Sequence, residues 1–491
     1  MAIGGVEGTG WRRDKLGLGV WDGQGKVAIV GWGNSPVDRR WDGVSMDKTY
    51  GAYALIAIKQ ALEDAGVKPE EVDGILACPE TGAGATGGAS SDWGPSRPYF
   101  DAPYDSEWGL SRINAQWLIE QMPELSNVQY APDNVPAIGE QMGMASQAVA
   151  EGKTQICLVV YGMNNFEGRY RHGGDNASPY AAGNRQWNAP WSSGDGLQLT
   201  GAITLQQYCH RYGVDWDEMM GPVIINEHRN GLMHDWGFYS LHGASGLTQD
   251  DYANARPVLW PCRIWDCDRP VNAVGAFLFT TAERAKDMKQ KPVYVLNHNQ
   301  GMGGTVRSTQ ETLDESEAAR DHVAQMSYEG SGLTAKDIDV FNPYDGYSFF
   351  LPLTLEGFGW HGVGRGESSD FFNGDISVEG PHPLVSGGGN LGVGRTRTAM
   401  YIDSIQQLRG TAGKRQVNVK AETAICAFAP ARSAAYLTLS NALPKIDQHI
   451  SMDWLKEVSP CFVSILTRHC RTFNIRHYCN QHPVYCNRTV Y

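Results

Sequence analysis

The sequence predicts an α/β protein of two similar halves with a long insertion between them. Three observations carry that prediction: strand-sized apolar runs alternate with helical patterns, one helix–turn–strand phrase occurs twice, and an aromatic-rich stretch separates the two occurrences.

The first element is 26-KVAIVGWG, a β-rich run ending in glycines. In 48-KTYGAYALIAIKQALEDAG, Leu55, Ile58 and Leu62 recur at helical spacing. Gly66 stands where a helix C-cap belongs, and 68-KPEEVDGILACPE opens with Pro and acids before a second buried strand. The same grammar returns in 332-GLTAKDIDVFNPYDG, which aligns without a gap on 66-GVKPEEVDGILACPE. Any αβ turn needs a helix stop, a polar loop and a strand, so one match is weak. A further pair, 140-EQMGMASQAVAEGKTQICLVVYG and 398-TAMYIDSIQQLRGTAGKRQVNVKAETAICAF, makes duplication the favoured architecture.

The expected organisation is an N-terminal extension over 1–25, a first half over 26–162, and an aromatic-rich loop insertion over 163–260. The end of the first half and a crossover follow over 261–325, then a second half over 326–443 and a Cys/His-rich tail over 444–491. The insertion holds Trp187, Trp191, Trp216, Trp236, Trp260, Tyr170, Tyr180, Tyr208, Tyr212 and Tyr239, an aromatic content that argues against disorder. It reads as a folded cover over a pocket, or as a satellite core with no ligand.

At 491 residues with 42% apolar content the chain can bury large cores. Lys+Arg number 41 against 54 Asp+Glu, a net charge of −13 with no basic cluster, which excludes nucleic acid as a partner. The longest apolar runs fall far short of the ~20 residues of a membrane span, and the N-terminus lacks a secretory h-region, so a soluble, cytoplasmic protein is expected. Six of the ten cysteines are scattered and read as reduced thiols. Cys461, Cys470, Cys479 and Cys486 crowd the tail without the paired C-x-x-C spacing of zinc ribbons, and no metal is expected.

Three loops after strands or before helices can carry chemistry. In 342-NPYDGYSFF, Tyr344 stands at a strand-to-helix junction, where a helix N-terminus favours a phenolate; the plainer reading is a buried tyrosine with Asp345 as N-cap. In 380-GPHPLVSGGGNLGVGRTRT, five glycines fall between Gly387 and Arg395, and backbone N–H groups there can approach an oxyanion. Arg395 and Arg397 follow, either to hold a carbonyl or pyrophosphate oxygen or as a solvated pair. In 423-TAICAFAPARSAAYLTLS, Cys426 ends a buried strand, as inert packing or as a reactive thiol.

The segments 29-IVGWGNSPV, 61-ALEDAGVKPEEVDGIL, 265-WDCDRPVNAVGAFLFTTAERA, 344-YDGYSFFLPLTLEGFGW, 386-SGGGNLGVGR and 407-QLRGTAGKRQV together resemble the thiolase superfamily. The resemblance is to the acetyl-CoA acetyltransferase-like proteins, in particular the lipid-transfer-protein and steroid side-chain aldolase branch, and covers about Lys26 to Leu443. It implies duplicated αβαβα halves with the insertion over the active site. The slot of the thiolase nucleophile falls near Val135 and holds no cysteine, as is typical of the aldolase branch. His382 in 380-GPHPL mimics the thiolase Gly-His-Pro loop, yet the spacing to the last cysteine strand selects 392-GVGRTRT, so Arg395 occupies the histidine slot. The resemblance implies retro-aldol cleavage of a bulky, steroid-like or aromatic β-hydroxyacyl-CoA without an acyl-cysteine. Tyr344, Arg395 and Cys426 are the catalytic candidates, Tyr344 and Arg395 facing each other across one cleft, with Asp345, Tyr347, Gly388, Gly389 and Asn390 as substrate-binding neighbours. Coenzyme A enters only as part of the substrate, with no bound cofactor. A homodimer and a small OB-fold, zinc-ribbon companion are the implied partners. Two alternatives are an acyltransferase using Cys426 as its thiol and a non-catalytic lipid- or acyl-CoA-binding protein.

Overall fold

The two aligned phrases fold alike. The computed structural model describes residues 13–77, 109–110, 113–132, 135, 137–164, 197–301, 312–428 and 435–443. In chain order its strands and principal helices are β1 (Val27–Asn34), α1 (Tyr50–Ala65), β2 (Gly74–Ala77), α2 (Ile138–Ala150), β3 (Ile156–Met163), α3 (Leu197–Tyr212), α4 (Trp216–Leu232), β4 (Pro257–Leu259), β5 (Cys262–Arg263) and β6 (Ala273–Thr281). They continue as β7 (Val293–Gln300), α5 (Leu313–Ser331), β8 (Val340–Asn342), α6 (Leu351–Phe358), α7 (Gly389–Val393), α8 (Ala399–Arg409), β9 (Thr423–Phe428) and β10 (Ala435–Ser440).

Helices α1 and α5 both stop at a left-handed glycine, Gly66 at φ 70° and Gly332 at φ 68°. Each glycine is followed by a one-turn 3-10 helix and a short strand. The equivalence extends to single side chains. Asp73 accepts the N–H groups of Gln155 and Ile156 ahead of β3. Its aligned counterpart Asp339 accepts those of Glu422 and Thr423 ahead of β9. A buried or half-buried peptide group needs such an acceptor where the ladder has not begun, so the acid before each strand also fixes where its parallel neighbour starts.

The strands form one mixed sheet in the order β2-β3-β6-β1-β7-β10-β9-β8, which reads as two mirrored sets of four. The outer pairs, β2 with β3 and β8 with β9, are parallel, and the remaining pairings are antiparallel. The sets meet where Ala28 pairs with Tyr294 and Ile29 with Val293. By this order β7 and α5 correspond to β1 and α1, so the second half opens at Val293 and not at 326. The earlier boundary follows from the strand that must precede the repeated helix.

Both faces of the first set are buried, which explains its near-continuous apolar runs. Ala28, Val30, Leu158 and Val160 face α1, whereas Ile29, Cys157 and Val159 share a core with Met142 of α2 and Ile402 of α8. α2 touches β3, β6 and β1 as well as β7 and β10, so it lies between the sets, while α5 packs outside β7 and β10. This is the αβαβα layering expected. Gly33 permits the outer contact, since a Cβ there would lie 2.1 Å from the Ala57 carbonyl oxygen of α1.

The insertion departs from the expected loop. Its described part, 197–260, is mostly helical, and Tyr208, Trp216, Met219 and Tyr252 join the shared core. Trp216 donates its indole N–H to the Tyr252 hydroxyl at 3.0 Å, which in turn reaches Asp266 at 3.2 Å. Trp187, Trp191, Tyr170 and Tyr180, together with the tail at 444–491, lie outside the described residues. No helix among the described residues is long and apolar enough to cross a membrane.

Candidate active site

β8 ends at Asn342 and releases the Tyr344–Tyr347 loop into the core. The Tyr344 phenol folds back over Gly346, where a Cβ would lie 2.1 Å from the hydroxyl, so only glycine admits this rotamer. Asp345 does not cap the helix that follows it. α6 begins after a separate 3-10 turn, Ser348–Phe350, and neither has a side-chain cap. The Asp345 carboxylate crosses to the glycine-rich loop instead, accepting the Leu391 N–H at 2.9 Å and the Asn390 side-chain amide at 2.8 Å. That acceptor nucleates the single helical turn α7, preceded by Gly388 at φ 73° and opened by Gly389 at φ 53°. Any Cβ on Gly389 would lie 2.0 Å from Asp345 Oδ2.

The opposite side of the loop is held by α4. Asn226 donates to the Leu384 carbonyl at 3.1 Å and Asn230 to that of Val385 at 3.3 Å. His234 lies 2.8 Å from the Gly387 carbonyl. Burial, with the nearby Arg415 charge, holds His234 well below its usual pKa, so the neutral ring donates through Nε2–H. Val385 is β-branched at φ 46°, a strained backbone that these bonds and its own N–H to Phe341 O keep in place. The Gly388 N–H is given to Val385 O at 2.8 Å, and the N–H groups of Asn390 and Leu391 to Asp345. The Gly388 and Asn390 donors expected to face an oxyanion are therefore already engaged by the protein.

Arg395 and Arg397 are buried rather than solvated. Arg395 presents its Nε 3.6 Å from Asp268 Oδ2. Arg397, at φ 59°, donates its N–H to Asn390 Oδ1 at 2.9 Å and its guanidinium to the Tyr161 hydroxyl of β3 at 2.8 Å, tying the second half to the first. Burial pushes the Tyr344 phenol up to about 12, against the opposing pull of Arg397 and then Arg395. The expected phenolate is thus not favoured, because desolvation outweighs both cations, and Tyr344 carries its proton at neutral pH. Tyr347, stacked on Phe349 at 5.0 Å, is held well above its usual value, mainly by burial.

Two further carboxyls enter this cluster. Burial raises Asp268 to about 7, with Arg395 drawing it down. Glu227 of α4 is raised well above the carboxylate range, first by burial and then by the charge of Asp345. Cys426 lies inside β9, paired with Asn342 and Leu437, and not at its end. Its sulfur is 3.8 Å from the Leu437 carbonyl, and burial pushes the thiol up. Val135 is buried just ahead of α2. His382 packs on His361 at 4.6 Å and Phe371 at 5.5 Å.

Sequence reasoning brought Tyr344, Asp345, Asn390 and Arg395 to one place but missed Asp268, Tyr161 and the gripping face of α4. The signal for that face was present: Asn226 with Asn230, and Glu227 with Gly231, repeat at i, i+4, and His234 follows just beyond the helix end.

The fold is thiolase-like, and the chain resembles the thiolase superfamily. Residues 301–430 match the family described as thiolase C-terminal domain-like. Among curated proteins, the chain is 26% identical over 421 residues to the 17-hydroxy-3-oxo-4-pregnene-20-carboxyl-CoA lyase of Mycobacterium tuberculosis, a match covering 82% of this chain and 97% of the relative. It is 24% identical to the steroid side-chain-cleaving aldolase of Thermomonospora curvata, covering 73% and 85%. Among solved structures, the Ltp2-ChsH2(DUF35) aldolase superposes with a TM-score of 0.65 at 19% identity, over 85% of this chain and 98% of that one. These matches support a likeness to the aldolase-like branch of that superfamily.

Proposed function

We propose that the protein cleaves a bulky, steroid-like or aromatic β-hydroxyacyl-CoA by a retro-aldol reaction. The observation that carries this reading is Tyr344, buried and influenced by the two buried arginines Arg395 and Arg397, in a chain without a cysteine near Val135, where the resemblance puts the nucleophile. Loss of the β-hydroxyl proton lets the Cα–Cβ bond break, and the electron pair passes to the thioester as an enolate. Arg395 stabilises the enolate oxygen, and Tyr344 delivers its proton to Cα. Tyr347 and the α7 turn, with Gly388, Gly389, Asn390 and Asp345, shape the acyl-CoA site. Coenzyme A arrives as part of the substrate, and the chemistry calls for no separate cofactor. A covalent acyl-enzyme would need a reactive thiol, and Cys426, held inside a strand with its pKa raised, is poorly suited to that.

The name of the Ltp2-ChsH2(DUF35) aldolase pairs that protein with a companion. By analogy we assign this chain a small OB-fold, zinc-ribbon partner, a homodimeric assembly and a cytoplasmic setting. The test is co-expression with a neighbouring OB-fold protein, followed by product analysis on a panel of β-hydroxyacyl-CoA thioesters. A ketone or aldehyde released in equal amount with a shortened acyl-CoA is expected. Acyl transfer between thioesters without C–C cleavage would overturn the reading.

A further inference from the structure

Asp268 follows the 3-10 turn Ile264–Asp266 and is pinned to the tyrosine loop through the main chain. Its N–H donates to the Gly346 carbonyl at 3.2 Å, and Cys267 bridges Tyr347. The residue is 3% exposed, yet neither carboxylate oxygen takes a hydrogen bond among the described residues. The guanidinium of Arg395 stands at 3.6 Å, close enough to pair in charge but too far to satisfy a lone pair. Three other buried carboxylates contrast with it, whereas Glu227, whose oxygens are likewise open, is coupled to Asp345 and not to an arginine. Asp266 accepts from the Arg263 N–H and from the Ser348 and Tyr252 hydroxyls. Asp345 is filled by Leu391 and Asn390, and Asp403 by Ser386, Asn342 and Arg415. A buried carboxylate with open lone pairs costs free energy unless something else supplies the donor.

We propose that Asp268 is the general base that takes the β-hydroxyl proton in the cleavage reaction above, an inference that rests on that reaction. The hydroxyl O–H bond breaks and its proton passes to Asp268. The C–O bond becomes a carbonyl as Cα–Cβ breaks, and the released pair forms the thioester enolate against Arg395. Tyr344 then gives its proton to Cα, and the proton held by Asp268 returns through solvent to the phenolate, so atoms and charge balance. The pairing with Arg395 serves this sequence. Protonating Asp268 removes the anion facing Arg395 as the enolate acquires its charge, so the guanidinium is released to the oxyanion when it is needed. Tyr344 is unsuited to the base role because its proton is held up to about 12. Burial places Asp268 near 7, with Arg395 drawing it down, Asp345 raising it and Arg397 drawing it down.

The test uses the full chain with its co-expressed companion and the thioester panel. Asp268→Asn is expected to lower kcat by about 100-fold or more with KM little changed, the range of general-base removal. Wild-type kcat/KM should fall about tenfold per pH unit below pH ~7, and the residual activity of Asp268→Asn should lose that limb. Asp268→Glu should keep the limb at reduced kcat. An Asp268→Asn enzyme that retains more than about a tenth of wild-type kcat, or that keeps the acid limb, overturns the assignment. Should that variant fail to fold, a wild-type profile flat from pH 5.5 to 8 overturns it alone, and a limb kept by Asp268→Glu supports it. Wild-type protein that cleaves no thioester removes the reaction itself and this base with it, whereas cleavage by Asp268→Asn at more than about a tenth of the wild-type rate removes only the base.

Discussion

Asp345 and Leu391, from loops separated by 45 residues and more, are joined by a carboxylate-to-N–H bond of 2.9 Å that starts the α7 turn. The same carboxylate holds Asn390, whose carbonyl oxygen orients Arg397. Asp345→Ala leaves the Leu391 N–H and both the main-chain and side-chain N–H groups of Asn390 without their acceptor, for a loss of about 2 kcal/mol of stability or more. Urea denaturation should show it, together with a large fall in kcat because Arg397 loses its anchor. Unchanged stability would mean that the turn stands without its cap.

Tyr344→Phe removes only the proton donor. Gly346 still accommodates the ring, so the fold should survive with an unaltered thermal transition. Cleavage should slow by about 100-fold or more. Steady-state kinetics on the responsive thioester settles it, and turnover near wild type would favour a non-catalytic acyl-CoA binder or another acid.

Gly231→Ala tests the seam between insertion and loop. Its Cβ would lie 2.0 Å from the Gly392 carbonyl oxygen, where neither backbone can yield cheaply. A cost of about 1–3 kcal/mol and a matching loss of activity are expected. Gly213→Ala would be a poor control because Gly213 has φ 68°, whereas Gly246→Ala meets open space at ordinary φ and should be nearly silent.

His228 stacks between Tyr239 and Trp265, with ring centroids at 4.6 and 5.7 Å, and burial lowers it from 6.5 to about 4. It is therefore neutral in the fold and free to protonate only on unfolding. Stability from this group is full above pH 6.5 and is lost as pH falls toward about 4, where the loss levels off at roughly 3 kcal/mol. His228→Phe should show a shallower decline over that window when denaturation is followed against pH. A parallel decline in both proteins would show that the imidazole does not titrate as described.

Cys426→Ala should keep C–C cleavage within about threefold, since the proposed steps do not use the thiol and the strand hydrogen bonds are main-chain. An alkylating acyl-CoA analogue should leave Cys426 unmodified. Labelling of Cys426 in proportion to lost turnover would establish an acyltransferase instead.

What the amino-acid order determined alone was whatever depends on neighbours along the chain. The glycine stops at 66 and 332, the acids at 73 and 339, the apolar β-rich run of β1, the tyrosine loop after β8 and the missing thiol near Val135 are of this kind. The insertion was misread as loop because α4 contains Gly221, Pro222 and Gly231, residues of low helix propensity. Its helix is secured by contacts made only after folding: Gly231 against Gly392, and Asn226 and Asn230 on the carbonyls of 384 and 385. Only the tertiary structure decided the protonation states at the centre. Local sequence suggests a phenolate at Tyr344 and says nothing of Asp268, but desolvation by the whole core raises both, and burial is a property no segment possesses before the halves and the insertion close around it.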